Sequence, residues 1–369
     1  MSSKVYYSDL RTPNGISLQD KLTKLLRASG FDTIDFKNHY CAIKMHFGEK
    51  GNLAFLRPNW AKTVVDEVKR NGGIPFLTDC NTLYVGSRKN AIDHLDTASL
   101  NGFGPLTTGA NVIIADGIKG SDDIEVPVKG GKYVKEAKIG RAIMDADIFI
   151  SLSHFKGHEA TGFGGALKNI GMGCGSRRGK MEMHNQGKPK VITERCIGCH
   201  KCTKSCAHDA QVFENGKCRI DLDKCVGCGR CLSVCPVNAI VPTVDNSAEE
   251  LNCRMMEYSK AVLDGRPSFH ISLVIDVSPL CDCYGCNDLP IVPNIGMFAS
   301  FDPVALDQAC ADSVNNAPMN PNTMLSEAHH HHNHDYFLDM HPDTNWKQGL
   351  EYAEEIGIGS RKYELIKVE

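Results

Sequence analysis

The sequence predicts an α/β fold with a mainly parallel sheet flanked by helices, interrupted by a small cysteine-rich α+β domain. Short apolar runs alternate with helical patterns on both sides of residues 190–245, which is typical of parallel strands joined by crossover helices. Within 190–245 these patterns vanish and cysteines dominate. We therefore divide the 369 residues into 1–189, 190–245 and 246–369, with the outer parts forming one α/β domain. Three serial modules are the alternative.

The first part contains four apolar runs that predict strands, at Cys41–His46, Ile74–Thr78, Val112–Ala115 and Asp147–Leu152. Helical patterns lie between them, at Pro58–Arg70, about Arg88–Leu95 and Lys135–Met144. The first of these helices has proline in its opening turn and Gly72-Gly73 after its end.

The last part returns to ordinary α/β signals. Ser247-Ala-Glu-Glu250 is a capping-box pattern that opens a helix, and Gly265 ends it. His270–Asp276 is predicted as a buried strand, and Asp302-Pro303 opens another helix. The histidine-rich tract 329–334 is predicted to be a solvated loop, with adventitious metal binding as the alternative.

Composition narrows the class of protein. The net charge of −3 argues against a nucleic-acid-binding face. No apolar run is long enough for a signal peptide or a membrane span, so we expect a cytoplasmic protein without a membrane partner. In that reducing compartment, 17 cysteines indicate metal binding rather than a disulfide framework.

Eight of the cysteines form an internal repeat. Cys196-Ile-Gly-Cys-His-Lys-Cys-Thr-Lys-Ser-Cys206 returns 29 residues later as Cys225-Val-Gly-Cys-Gly-Arg-Cys-Leu-Ser-Val-Cys235. Each C-x-x-C-x-x-C run supplies three thiolates to one cubane cluster, and the fourth cysteine of the run ligates the other cluster. The sequence therefore predicts two 4Fe–4S clusters. Their ligands are Cys196, Cys199, Cys202 and Cys235 for the first, and Cys225, Cys228, Cys231 and Cys206 for the second.

This repeat resembles the bacterial two-cluster ferredoxin family over about 50 residues, which implies a ferredoxin-like fold for the insert. Pro236 follows Cys235 as the pattern requires, whereas Ala207 stands where proline is usual. A pair of zinc sites is the alternative, although zinc motifs normally separate their cysteine pairs by longer loops.

A second cysteine group is Cys281-Asp-Cys283-Tyr-Gly-Cys286. Three thiols within six residues could hold an additional metal centre, but their spacing fits no standard signature. The fourth ligand would be Cys174, Cys253 or Cys310, or an open position for substrate. A loop with ordinary thiols is the alternative.

Polar residues follow the predicted strands, namely His46, Asp79, Asp116, His154 and Asp276. Because ligands of open α/β sheets bind beyond the carboxyl ends of the strands, we expect a pocket there. His46, His154 and Lys168 are the candidate catalytic residues, as proton donors. Lys168 ends the glycine-rich run that begins at Gly162, which could bind an anion or form a tight backbone crossing.

Four segments together resemble the iron–sulfur centre family known as domain of unknown function 362. They are Lys44–Gly51, Gly162–Asn169, Asp276–Cys286 and Ala299–Ala305. The resemblance implies an α/β domain carrying a ferredoxin module, and it implies no reaction.

The favoured function is electron transfer coupled to a redox reaction of a small-molecule substrate in the strand-end pocket, with a redox partner protein. A non-catalytic electron-transfer subunit is one alternative, and a ligand- or metal-binding protein with structural clusters is the other. A plain ferredoxin would need only the insert, so the large α/β domain favours an enzyme.

Overall fold

The computed structural model describes residues 2–84, 86–185, 188–225, 227, 229–243, 247–328 and 335–369. The strands in this part of the chain are β1 (Ser3–Asp9), β2 (Tyr40–Lys44), β3 (Ile74–Asp79), β4 (Val112–Ile114), β5 (Asp123–Pro127), β6 (Glu136–Gly140), β7 (Ile148–His154), β8 (Lys156–His158), β9 (Gly162–Gly164), β10 (Pro189–Val191), β11 (Gln211–Glu214), β12 (Lys217–Ile220), β13 (Ile240–Pro242), β14 (Ser268–Val274), β15 (Gly296–Ser300) and β16 (Tyr363–Lys367).

The α-helices are α1 (Leu18–Ala28), α2 (Pro58–Arg70), α3 (Ala91–Leu100), α4 (Pro105–Thr108), α5 (Arg141–Met144), α6 (Ala166–Cys174), α7 (Arg177–Asn185), α8 (Lys201–Ser205), α9 (Arg230–Val234), α10 (Ala248–Leu263), α11 (Pro303–Asn315), α12 (Tyr336–Met340) and α13 (Trp346–Glu355). Cys228 and the histidine tract 329–334 lie outside the described residues.

The main sheet has eight strands in the order β16-β1-β15-β14-β7-β2-β3-β4. Only β15 runs antiparallel to its neighbours within this sheet, so the prediction of a mainly parallel α/β sheet is confirmed. Strands β1, β2, β3, β4 and β7 precede residue 190, and β14, β15 and β16 follow residue 245. The sheet is therefore built from both ends of the chain.

Both faces of this sheet are covered, as expected when crossover helices pack on each side. Ile148, Ile150 and Leu152 of β7 belong to one hydrophobic core, and Phe149 between them belongs to the other. Because successive side chains of a strand point to opposite faces, this alternation places the two cores on opposite sides of the sheet.

The predicted strands and most of the predicted helices are confirmed, with strand ends shifted by up to two residues. The helix predicted at Lys135–Met144 is wrong. Glu136–Gly140 is strand β6, paired antiparallel with β5, and only Arg141–Met144 is helical. Ala137 and Ile139 are buried, while Glu136 and Lys138 are more exposed, which is the period of a strand rather than of a helix.

Residues 190–245, here called the cysteine segment, contain short elements that repeat. Helices α8 and α9 each follow a residue in the left-handed conformation, His200 (φ 56°) and Gly229 (φ 67°). Two more left-handed pairs have the same 29-residue spacing, Gly198 with Gly227 and Asp209 with Asn238. The two halves of this segment therefore share one backbone course, and β10 of the first half pairs with β13 of the second.

The cysteine segment is fastened to the α/β body by two basic side chains. Lys89 Nζ donates to the carbonyl of Cys235 at 3.1 Å and to Asn238 Oδ1 at 2.6 Å. The buried Arg177 side chain lies against Gly229, where a Cβ atom would come within 2.8 Å of Arg177 Cγ. Any larger residue at Gly229 would be excluded by this contact.

Asp307 of α11 is a fully buried carboxyl group at the N-terminus of α6, where it accepts hydrogen bonds from the backbone N–H groups of Ala166 at 2.7 Å and Leu167 at 2.9 Å. Burial raises the pKa of Asp307 from its ordinary 3.8 to about 7. A carboxyl group whose pKa is higher in the folded state stabilises the fold most at pH values below its pKa in the unfolded chain. This stabilisation is lost as the pH rises through 7.

We therefore expect the free energy of unfolding of wild type, minus that of Asp307→Asn, to decrease between about pH 4 and pH 7. The decrease should be at most about 4 kcal/mol. Urea unfolding of both proteins at pH 5, 6 and 7.5, under anaerobic conditions, would measure it. A difference that stays constant across this range would contradict the prediction.

Candidate functional site

Buried charges meet at the carboxyl ends of β2 and β3. Lys44 Nζ lies 2.9 Å from Asp79 Oδ1 and donates to Asn169 Oδ1 at 2.8 Å. Arg88 lies between two carboxylates, with Nη1 at 3.7 Å from Asp79 and Nε at 3.1 Å from Glu49. Burial would raise the pKa of Asp79, but Lys44, His94 and Arg88 lower it overall. The network therefore keeps its charges in a region largely closed to water.

The loop after β14 carries Cys281 and Cys283 to the same edge. Asp282 between them is fully buried and lies 2.9 Å from His154 Nδ1 and 3.2 Å from Lys156 Nζ. The other nitrogen of His154, Nε2, lies 2.8 Å from the carbonyl oxygen of Ile275. Both ring nitrogens of His154 are thus engaged, and they fix the loop that positions the two thiols.

His158, which is on strand β8, lies close to these two thiols. The ligand atoms of His158, Cys281 and Cys283 all lie within 4.8 Å of one another. Among the described residues, this is the group of histidine, cysteine and acidic side chains close enough to hold a metal ion. Two of the three residues were predicted as metal ligands, whereas His158 was not.

Close backbone packing holds β8 beside the cysteine loop. Gly157 N donates to the carbonyl of Ser278 at 2.8 Å, and a Cβ on Gly157 would come within 2.3 Å of the Pro279 oxygen. Only glycine allows this approach. His341 Nε2 also lies 2.8 Å from that same Pro279 oxygen, so the loop is held from two sides.

His158 has one ring nitrogen already in use, because the backbone N–H of Ala160 donates to Nδ1 at 3.1 Å. The neutral ring then carries its proton on Nε2. Metal binding at Nε2 would move that proton and break the hydrogen bond, at a cost of about 1 kcal/mol. Apparent binding free energies of structural zinc sites, about 10–16 kcal/mol, exceed this cost by a wide margin.

Several donors surround Cys281. Lys168 Nζ lies 3.7 Å from its sulfur, and the backbone N–H of Cys283 donates to it at 3.4 Å. The hydrogen bond from the Cys283 thiol does most to lower the pKa of Cys281, and burial opposes it. The same bond raises the pKa of Cys283. Without a metal, the pair thus shares one proton, which stays on Cys283.

Lys168 remains a cation in this setting. Burial works against its charge, but the negative charge of Cys281 does most to raise the pKa of Lys168 above its ordinary value. The side chain therefore places a positive charge at the thiols, where it could also meet an anionic ligand.

Two uncharged histidines complete this edge. Burial holds the pKa of His46 well below its ordinary range, while the charge of Cys281 acts in the opposite direction. Burial lowers the pKa of His184 to about 3, and its Nδ1 lies 3.2 Å from the hydroxyl of Tyr84. Both imidazoles are therefore neutral near pH 7, and each has one nitrogen that donates a hydrogen bond and one that accepts.

The predicted site residues fall into two sets. His46, His154 and Lys168 lie near Cys281 and Cys283, and their catalytic role stays a prediction. Cys286 is exposed and lies outside the close group, so its role as a ligand also stays a prediction. The suggested fourth ligands Cys174, Cys253 and Cys310 are buried in the hydrophobic core.

In the cysteine segment, Cys196, Cys202, Cys231 and Cys235 are buried, Cys206 and Cys225 are partly buried, and Cys199 is exposed. Backbone N–H groups donate to two of these sulfurs, from Cys218 to Cys196 at 3.3 Å and from Ala239 to Cys235 at 3.2 Å. A further thiol, Cys218, lies 3.8 Å from the sulfur of Cys202 although it is outside the repeat.

A family model described as domain of unknown function DUF362 matches residues 41–312. The chain belongs to this family. The matched range includes the cysteine segment, the Cys281 loop and the strand-end network, so the candidate site lies entirely on DUF362 residues. A search of curated proteins returned no match.

Two solved structures show weak similarity to this DUF362 chain. The lactate racemase apoprotein of Thermoanaerobacterium thermosaccharolyticum has a TM-score of 0.35 at 12% identity, covering 74% of this chain and 51% of that one. A structural-genomics protein from Thermotoga maritima has a TM-score of 0.39 at 12% identity, covering 80% and 58%. The chain thus spans little more than half the length of these proteins, and similarity this low assigns it no activity.

Within the described ranges, none of the helices combines the length and the apolar character that crossing a bilayer requires.

Proposed function

We propose that this DUF362 chain is an iron–sulfur protein with two 4Fe–4S clusters and an inserted ferredoxin-like domain, residues 190–245, and that it couples electron transfer to a redox reaction in the strand-end pocket. One observation carries the proposal. The cysteines of the repeat and the left-handed backbone positions around them recur at the same 29-residue spacing.

The residues fit such clusters. Left-handed residues within a turn point successive N–H groups into a concavity that suits anionic sulfur clusters. Cys196 and Cys235, from opposite ends of the repeat, each already accept a backbone N–H at the sulfur. A bound 4Fe–4S cluster takes up and gives back single electrons at a potential set by such hydrogen bonds and by burial.

The cysteine segment and the pocket share one helix, which supports coupled chemistry over a separate electron carrier. Arg177 at the start of α7 lies against Gly229 of the segment, and Met181 packs in the core of the segment. His184, at the other end of α7, is paired with Tyr84 at the pocket. Seven residues of helix span about 10 Å, so α7 joins the two regions directly.

In the pocket, the chain's own groups would bind and protonate a small-molecule substrate. Lys168 supplies a positive charge that can hold an anionic group or give a proton. His46 is neutral and has one ring nitrogen, Nδ1, occupied by the N–H of Gly48 at 2.9 Å. The second nitrogen of His46, Nε2, then carries the ring proton and can donate a hydrogen bond to substrate.

A groove of about 680 Å³ on the cysteine segment suits a redox partner protein with an acidic surface. Its charged lining is mostly basic, consisting of Lys188, Lys190, Lys217, Arg219 and Glu214. Lys217 donates to the carbonyl of the cluster ligand Cys196 at 2.5 Å, so this surface lies directly over one half of the repeat. We place the complex in the cytoplasm.

The test is to purify the full chain anaerobically, measure iron and sulfide, and follow reoxidation of the dithionite-reduced protein by candidate substrates. We expect about eight irons per chain, and slower reoxidation by a true substrate in Lys168→Met than in wild type at equal iron content. Zinc in place of iron would overturn the cluster assignment. Equal reoxidation of both proteins by every compound would favour the non-catalytic electron carrier.

A further inference from the structure

The close group of His158, Cys281 and Cys283 shares no member with the eight repeated cysteines. We propose that it binds one thiophilic divalent cation of the zinc type, and that the fourth coordination position accepts an anionic group beside Lys168. The metal site stands on its own geometry, whereas the role of the anion as a substrate group rests on the proposed function.

The distances suit a single ion. Zinc–sulfur bonds are about 2.3 Å long, so two sulfurs of a tetrahedral site lie about 3.8 Å apart. The three ligand atoms already lie within 4.8 Å of one another, which is at most about 1 Å more than this spacing. A cubane cluster would instead spread its ligands around a larger body.

The ligand types select the metal. Two thiolates and an imidazole favour zinc and other borderline or soft ions over magnesium or calcium, which prefer oxygen ligands. Three protein ligands with one open position is also the composition of catalytic, rather than structural, zinc sites. Cys283 is only partly buried, so the ion and a fourth ligand can enter from solvent.

Charge points to the nature of the fourth ligand. A divalent cation with two thiolates and a neutral imidazole has no net charge, and an added anion makes the centre negative. Lys168 Nζ lies 3.7 Å from Cys281 and can balance that negative charge. An acidic neighbour in place of Lys168 would instead repel the anion.

The surroundings hold the ligands in place, as metal sites require. Asn287 accepts from Leu280 N at 3.2 Å and donates to Leu280 O at 3.1 Å, which fixes the residue before Cys281. Asp282 is anchored by His154 and Lys156, so the two cysteines on either side of it cannot move apart independently.

The experiment is to load the anaerobically purified full chain with zinc and to measure bound zinc and iron together. We expect one zinc per chain with sulfur and nitrogen ligands by X-ray absorption. Cys281→Ser and Cys283→Ser should lose it, and His158→Ala should bind it at least ten-fold more weakly, with iron unchanged in all three. Cys286→Ser is the matched control, since Cys286 is in the same motif but outside the group, and it should keep the zinc.

Absence of bound zinc in wild type would overturn the metal site, and loss of zinc in Cys286→Ser would overturn the assignment of His158 as the third ligand.

The open position is tested by EPR spectroscopy with cobalt in place of zinc and formate as the added anion. Oxidised cubane clusters give no EPR signal, so the spectrum reports the cobalt alone. Formate should shift the cobalt spectrum in wild type and much less in Lys168→Met, and an unchanged wild-type spectrum would overturn the open position. One zinc per chain with little iron would contradict only the proposed function. Full iron without zinc would contradict only the metal site.

Discussion

Replacing Cys202 by serine is expected to remove one cluster, so that iron falls from about eight to about four per chain. Cys202 is buried inside the cysteine segment and is the third thiolate of the first run. A serine hydroxyl is a much poorer ligand for iron than a thiolate, and no other residue of the run can replace it. Iron and sulfide analysis of anaerobically prepared protein measures the loss, and EPR of the reduced protein should show the remaining cluster.

Cys218 provides a matched control for this experiment. Its sulfur lies only 3.8 Å from that of Cys202, and it is also buried, but it stands outside the repeat on β12. Cys218→Ser should therefore keep about eight irons. If Cys218→Ser loses iron and Cys202→Ser does not, the ligand assignment from the repeat is wrong and the short Cys202–Cys218 contact marks the true ligand.

Much of the fold could be predicted because each parallel strand is a local apolar run. The runs at β2, β3 and β7 are mostly buried on both faces and need no knowledge of their partners, whereas β4 is a short, partly exposed edge strand. Strands β1, β15 and β16 were not predicted, and they pair across nearly the whole chain, for example Tyr6 with Ala299. Pairing over such a separation is set by tertiary packing, which a local pattern does not contain.

The false helix at Lys135–Met144 has a similar cause. Its residues have good helix propensity, but the carboxylate of Glu257 on α10 accepts the backbone N–H groups of Lys132, at 2.6 Å, and of Val134, also at 2.6 Å. These hydrogen bonds fix the residues just before β6 in a non-helical turn, and the chain then continues as strand β6. A distant buried carboxylate therefore overrides the local preference.

Of the three residues in the close metal-binding group, the sequence predicted only the two that one motif carries. Cys281 and Cys283 are two residues apart, so their spacing was visible. His158 reaches them from more than 120 residues away, and no sequence motif links it to them. Tyr84 and His184 meet through folding alone and no sequence pattern links them.

Replacing Asp79 by alanine is expected to lower the free energy of unfolding by about 3–5 kcal/mol, because two buried cations lose a partner. Lys44 is 1% exposed and Arg88 is 2% exposed, so water cannot solvate either charge after the carboxylate is removed. Arg88 keeps Glu49, whereas Lys44 keeps only neutral oxygens, those of Asn169 and Met45. Lys44 should therefore account for most of the loss, and urea unfolding at pH 7 measures it.

Asp66→Ala is the control, because Asp66 also pairs with a lysine, Lys62, but both side chains are about half exposed. Its cost should be at most about 1 kcal/mol. The second variant, Lys44→Met with Asp79→Leu, should recover part of the stability, since apolar residues can replace a buried pair at little cost. A loss in Asp79→Ala no larger than in Asp66→Ala would mean that water reaches this edge of the sheet. The lowered pKa of His46 would then be wrong as well, because its main cause is the same exclusion of water.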